Sequence, residues 1–167
     1  MRCMTGLYDR TGKLCTKVNE IDRTFIVDKA PLEILEDTIR NIGFNLKGAM
    51  ATAKWITGVA QMCPIMINPI LKICVFPTKS AHHDEVIWFN PAHIARTSSL
   101  NGNTLVEFRN GTAIIVPCRL SAFNTKLQTA EQLKHLTIEA GRHPISFVIE
   151  PKQRPIRKKR KTRSKVK

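Results

Sequence analysis

The sequence predicts an α+β fold: a single domain of mainly antiparallel β-sheet with two or three helices, followed by a disordered basic tail. Three observations carry this. Short apolar segments are separated by turn residues at frequent intervals. Asn110-Gly111 lies between Leu105–Phe108 and Ala113–Val116, a strong short-range hairpin signal. Apolar residues recur at helical spacing in two stretches, after Pro31 and again up to Gly141. With 167 residues and 43% apolar composition, the chain has enough material for one packed core plus extensions. The expected division is a domain over 1–151 and a tail over 152–167.

In chain order, the N-terminal stretch reads as a hairpin. Asp9-Arg10-Thr11-Gly12 forms its turn, Leu14–Val18 follows, and Thr24–Val27 adds a short apolar strand. Pro31 opens a helix with Leu32, Leu35, Ile39 and Ile42 on one face, acids Glu33, Glu36 and Asp37 placed early, and Gly43 at its stop. A second helix is expected within Phe44–Gly58. From Pro64 the pattern turns to β: Ile65-Met66-Ile67, a turn at Asn68-Pro69, Ile73–Phe76 closed by Pro77, and then Val86–Phe89. Thr125 and Gln128 form a capping-box pattern that predicts a helix start. Leu127, Ala130, Leu133, Leu136 and Ala140 share a face of that helix, and Gly141 is expected to end it. Ile145–Ile149 reads as a last strand.

Charge is concentrated at the C-terminus. The chain holds 27 Lys or Arg against 13 acids, for a net +14. Lys152–Lys167 contributes ten of those cations and no acid, so the body retains 17 against 13. A run such as Arg157-Lys158-Lys159-Arg160-Lys161 repels itself and has little apolar surface to bury. It is attracted to polyanions, nucleic acid foremost. The tail says nothing about base sequence or strandedness. The body has its own one-sign segment: no acid occurs between Asp37 and Asp84, whereas Arg40, Lys47, Lys54, Lys72 and Lys79 all do. Lys47, Lys54, Lys72 and Lys79, with His82 and His83 in the following loop, are the candidate DNA contacts of the body. The pair of helices around Gly43 raises the question of a helix-turn-helix, and the bulky Ile39 at the expected close crossing argues against it. Trp55 is expected in the core.

Other chemistries find little support. Neither G-x-G-x-x-G nor a P-loop pattern occurs. Ser80, His82 and Asp84 stand too close in sequence to aim at one another, and no nucleophile elbow surrounds a serine, so an enzyme is not expected. His82-His83-Asp84-Glu85 with His93 and Cys74 supplies only one end of a paired zinc pattern, so neither a metal nor any other cofactor is expected. Five cysteines without paired spacing read as reduced thiols of a cytosolic protein. Met1–Tyr8 is too polar for a secretory signal, and Ile65–Phe76 is broken by Asn68, Pro69 and Lys72, so no membrane association is expected.

One block is more specific. Pro64-Ile65-Met66-Ile67-Asn68-Pro69, then Val75-Phe76-Pro77-Thr78-Lys79-Ser80, then Trp88 and His93-Ile94 strongly resembles the bacterial competence transcription factor family, ComK. The likeness extends back through Gly48, Gly43 and Pro31-Leu32. It runs forward through Val106–Gly111, Asn124, Thr129-Ala130 and Phe147–Lys152. The resemblance implies a cytoplasmic, nucleoid-associated activator. Such a protein binds paired A/T-rich boxes of double-stranded DNA as a homo-oligomer, through the minor groove, and turns on DNA-uptake genes. That groove shows a degenerate base pattern, so discrimination rests on width, potential and bendability. Phe147, Val148, Ile149, Glu150, Pro151 and Lys152 occupy the place of a family segment linked to a proteolysis adaptor. A short exposed strand there suits strand addition, and a last core strand is the alternative.

The chain departs from the family in places. Ala49-Met50 stands where members carry Arg-Lys, and Gln128 where an Arg precedes Thr-Ala. The expected function is a DNA-binding transcription regulator of A/T-rich duplexes. Two alternatives stay open: an RNA-binding or ribosome-associated basic protein, and a non-activating paralogue that acts by protein interaction.

Overall fold

The computed structural model describes residues 1–142, and β-strands in two antiparallel sheets form most of its framework. The first sheet is built from β1 (Cys3–Tyr8), β2 (Leu14–Asn19), β3 (Thr24–Val27), β4 (Ile65–Asn68), β5 (Ile73–Pro77) and β6 (Ile87–Phe89). Its strands lie in the order β3-β2-β1-β6-β5-β4. The second is the meander β7 (Ile94–Leu100), β8 (Asn103–Phe108) and β9 (Ala113–Val116). Helices α1 (Pro31–Asn41) and α2 (Leu46–Thr57) separate β3 from β4, and α3 (Leu120–Arg142) follows β9.

Local chemistry explains the turns. Asp9 Oδ1 accepts from the N–H groups of Thr11 at 2.8 Å and Lys13 at 2.9 Å, and Gly12 takes a positive φ of 81°. This is an Asx turn that sets the β1–β2 register. Pro31 at the first position of α1 loses no hydrogen bond there, and Glu33 Oε2 accepts from the Ala30 N–H at 2.8 Å. Gly43, at φ 85°, ends the helix in the left-handed region that suits glycine.

Two apolar clusters hold the elements together. In one, Met4, Val18, Leu35, Ile39, Ile65, Ile67, Val75, Val86 and Trp88 join α1 to one face of the large sheet. The other centres on four phenylalanines. Phe76 and Phe89 stack at 5.7 Å, Phe123 meets them edge-on at 5.4 and 5.2 Å, and Phe108 stacks on Phe89 at 6.2 Å. Phe123 belongs to α3, which packs on β5 and also on β7 and β8, so this helix joins the two sheets.

Several expectations need correction. Ile94–Leu100 is strand β7, which sequence reading left unassigned. Ala95-Arg96 and Ser99-Leu100 are exposed, so the segment shows no clean apolar alternation. It is a strand because it pairs with β8 along its whole length. Helix α3 begins at Leu120 rather than at Thr125. Thr125 Oγ1 donates to the Ser121 carbonyl at 3.0 Å, an intrahelical bond rather than a cap. Burial of Phe123 in the aromatic cluster carries the helix an extra turn toward its N-terminus. The helix also runs through Gly141 to Arg142. The strand expected over Ile145–Ile149, the segment Phe147–Lys152 and the cations Arg157–Lys161 lie outside the described residues.

Candidate nucleic-acid interface

Helix α2 arranges two of the expected contacts. Asn45 caps it: the Gly48 N–H donates to Asn45 Oδ1 at 2.6 Å, and a Cβ at position 48 would come within 3.1 Å of that oxygen. Gly58 ends it at φ 70°. Ala53 faces the core, while Lys47, Ala51, Lys54 and Trp55 stand on the exposed side at helical spacing. Lys47 and Lys54 are thus about 10 Å apart along the axis. Trp55 is 84% exposed, contrary to the expectation that it is a core residue. The apolar side of α2 is already supplied by Leu46, Ala49, Met50, Ala53 and Ile56, which leaves position 55 on the outside.

The fold also brings Lys54 to His82. Both line a cleft of about 480 Å³ with Met50, Gln61, Met62 and Ser80, between the end of α2 and the loop after β5. His83 does not line that cleft; its Nδ1 accepts from the Glu85 N–H at 3.1 Å. Lys79 is committed elsewhere: its Nζ contacts Glu85 Oε2 at 2.5 Å, and this bond holds the Glu85 carboxyl below the usual carboxylate range. Lys72 stands apart, in the β4–β5 turn at φ 57°. The structure therefore gathers Lys47, Lys54 and His82 at α2, occupies Lys79 with an acid, and leaves Lys72 on a separate projection. Asp84 accepts from the Tyr8 hydroxyl, so Ser80, His82 and Asp84 are not linked as a catalytic relay. Among the described residues, no group of three His, Cys, Asp or Glu is placed to hold a metal ion.

Sequence reading missed Lys126. Its Nζ reaches from α3 to the Thr78 carbonyl, just past β5, and lies 3.5 Å from Met62 Sδ, which lines the Lys54–His82 cleft. Burial holds its pKa below the ordinary lysine value. No sequence signal marks it, since a lysine in an amphipathic helix reads as a solvated residue.

The electrostatics are asymmetric. In the first 40 residues several charges pair with one another: Lys13 with Asp28 at 2.8 Å, Arg23 with Glu20 at 2.7 Å, Lys29 with Asp37 at 2.6 Å and Arg40 with Glu36 at 2.9 Å. Among the described residues, Lys47, Lys54 and Lys72 form no salt bridge. They therefore add positive potential at α2 and the β4–β5 turn that no acid offsets locally, as do Arg10, Lys17 and Arg119 elsewhere on the surface.

The model of the ComK protein family matches residues 3–141, from the first strand to the end of α3. The chain belongs to the ComK family. A relative described as "Competence transcription factor", from Bacillus subtilis (strain 168), is 26% identical over 147 residues, spanning 85% of this chain and 77% of the relative. No solved structure matches the chain. In this ComK-family chain, the residues that carry the likeness are largely structural. Ile65, Ile67, Val75, Phe76 and Trp88 are all buried in the two clusters. The motif thus marks the β4–β5 hairpin and β6, while the exposed cations stand around it. Ala49 and Met50 are half-buried against the Met4–Trp88 cluster, and Met50 also lines the Lys54–His82 cleft. No described helix is long and apolar enough to cross a membrane.

Proposed function

We propose that this protein is a transcription regulator that binds A/T-rich duplex DNA, acting in the cytoplasm on nucleoid DNA as a homo-oligomer. The observation that carries the reading is the exposed face of α2, where Lys47 and Lys54 stand without acidic partners in a ComK-family chain. The printed description of the Bacillus subtilis relative as a competence transcription factor supports it. Lys47 and Lys54 meet phosphates, and His82 in the shared cleft adds a third contact. Discrimination lies in the minor groove, where a narrow A/T tract concentrates negative potential for inserted cations. Arg157, Lys158, Lys159, Arg160 and Lys161 add attraction that is blind to sequence. Phe147–Lys152 is the candidate site for a proteolysis adaptor.

The test is duplex binding measured at several salt concentrations. Compared are the full chain, a form lacking Lys152–Lys167, and the double variant Lys47→Ala/Lys54→Ala. Each phosphate contact removed is expected to lower the slope of log K against log salt by about 0.9. The tailless form is expected to keep its A/T preference at a shallower slope. Equal affinity of the tailless form for A/T-rich and G/C-rich duplexes would overturn the proposal. So would a preference for structured RNA in direct competition.

A further inference from the structure

The connection between β4 and β5 is Pro69-Ile70-Leu71-Lys72, and it is built against the usual chemistry of turns. Turn tips favour Gly, Asn, Asp and Ser, whereas here Ile70 is 76% exposed and Leu71 67% exposed, side by side at the tip. The turn is firmly held. Asn68 Oδ1 accepts from the Leu71 N–H at 2.9 Å, the Lys72 N–H points to the Pro69 carbonyl at 3.4 Å, and Lys72 occupies the left-handed region at φ 57°. Large aliphatic side chains on this tip project as a blunt apolar wedge, with Ile70 foremost and Leu71, like Lys72, also bordering a hollow shared with Glu20, Phe25 and Ile34.

The surroundings indicate what receives it. Pro69 shares an apolar hollow of about 290 Å³ with Phe44, Asn45 and Gly48, so the tip stands beside the start of α2. Lys47 lies in that first turn of α2, and Lys72 lies on the tip itself. Both lack a carboxylate partner among the described residues. The whole segment from Thr38 to His83 carries no acid. An apolar projection flanked by two cations matches an opened base step flanked by backbone phosphates. A polypeptide partner would have to place an acid on each side of its apolar contact to meet both lysines, whereas duplex DNA carries phosphates on both sides of every base step.

We propose that Ile70 and Leu71 enter a base step of bound duplex DNA from the minor groove and kink it, while Lys72 and Lys47 hold the flanking phosphates. This rests on the duplex-binding reading above and adds to it a site and a distortion of the DNA. It also gives A/T-rich sequence a second role, since pyrimidine–purine steps such as TA unstack most readily.

The experiment is end-to-end energy transfer on a short duplex with A/T boxes, labelled at both ends and titrated with the full chain. The wild type is expected to shorten the end-to-end distance. The double variant Ile70→Ser/Leu71→Ser is expected to bind within about tenfold of wild type, because the phosphate contacts remain, yet to leave the duplex straight. Lys72→Ala is expected to weaken binding and lower the salt slope while keeping the bend. Thermal melts of the free variants confirm the fold, since the substituted side chains are exposed. The wedge is overturned if the wild type binds A/T-rich duplex without shortening it, or if the serine variant bends it fully. It is also overturned if the serine variant loses self-association while its bend persists, which would make the tip a contact between copies. A wild type with no preference for A/T-rich duplex removes the duplex-binding reading itself, and the wedge with it.

Discussion

Arg2 Nη1 donates to Asn110 Oδ1 across 3.1 Å, joining the start of β1 to the turn between β8 and β9. The same guanidinium donates to Thr112 Oγ1 and, through Nε, to the Glu20 carbonyl at 2.6 Å, and it lies 5.1 Å over the Phe108 ring. Asn110 Nδ2 in turn reaches the Ile21 carbonyl at 3.0 Å. One arginine, only 8% exposed, thus ties the large sheet to the small one.

Arg2→Ala is expected to lower unfolding stability by about 2–3 kcal/mol, the range for losing buried hydrogen bonds to a charged group. Arg2→Lys is expected to recover less than half of that loss, because an ammonium cannot reproduce the planar fork or lie flat on Phe108. Urea unfolding followed by circular dichroism checks both values.

The position of the α3 start predicts a contrast. Thr125→Ala is expected to change stability by less than about 0.5 kcal/mol, because Thr125 lies inside the helix; a capping threonine would cost about 1 kcal/mol. Phe123→Ala is expected to cost about 3–5 kcal/mol, since that ring touches both Phe76 and Phe89. Paired denaturant melts measure the difference.

Trp55 and Trp88 report on opposite environments, one exposed and one in the core. Added A/T-rich duplex is expected to quench the Trp55 emission, because that ring stands beside Lys54 on the exposed face of α2. Emission from Trp88 is expected to stay unchanged. Trp55→Phe should abolish the quenching and alter stability by less than about 0.5 kcal/mol. Steady-state fluorescence during the titration decides it.

The cysteines differ in accessibility. Burial pushes the Cys74 thiol up to about 12, and burial also raises Cys3, Cys15 and Cys63. Cys118 is only half-buried. Alkylation of the folded protein at pH 8 is therefore expected to label Cys118 first, with the other four reacting on unfolding. Mass mapping of labelled peptides over time gives the order.

Legibility in the sequence followed the range of the interactions involved. The Asp9–Gly12 turn, the Pro31 start of α1 and the Asn110-Gly111 hairpin rest on residues within a few positions of one another, and local chemistry specifies them. Strand β7 was hidden because its partner β8 specifies it, not its own alternation. The start of α3 was misplaced because a local capping pattern at Thr125 competed with Phe123, whose claim on the helix comes from rings more than thirty residues away. At the candidate site, the acid-free stretch marked a group of cations along the chain. Which of them lack an acidic partner was not legible, since Lys79 and Glu85 are separated by a turn.

By itself the sequence determined the α+β class, the element order through the β4–β5 hairpin, the uneven charge and the likeness to the ComK family. Each depends on composition or on neighbours along the chain. Only the tertiary structure decided that Trp55 stands outside, that Lys54 and His82 line one cleft, that Lys126 reaches Thr78, and that Ile70 and Leu71 project from a turn beside α2. Those outcomes depend on which face of each element the two clusters bury. That is settled by packing between segments far apart in the chain, which no local pattern encodes.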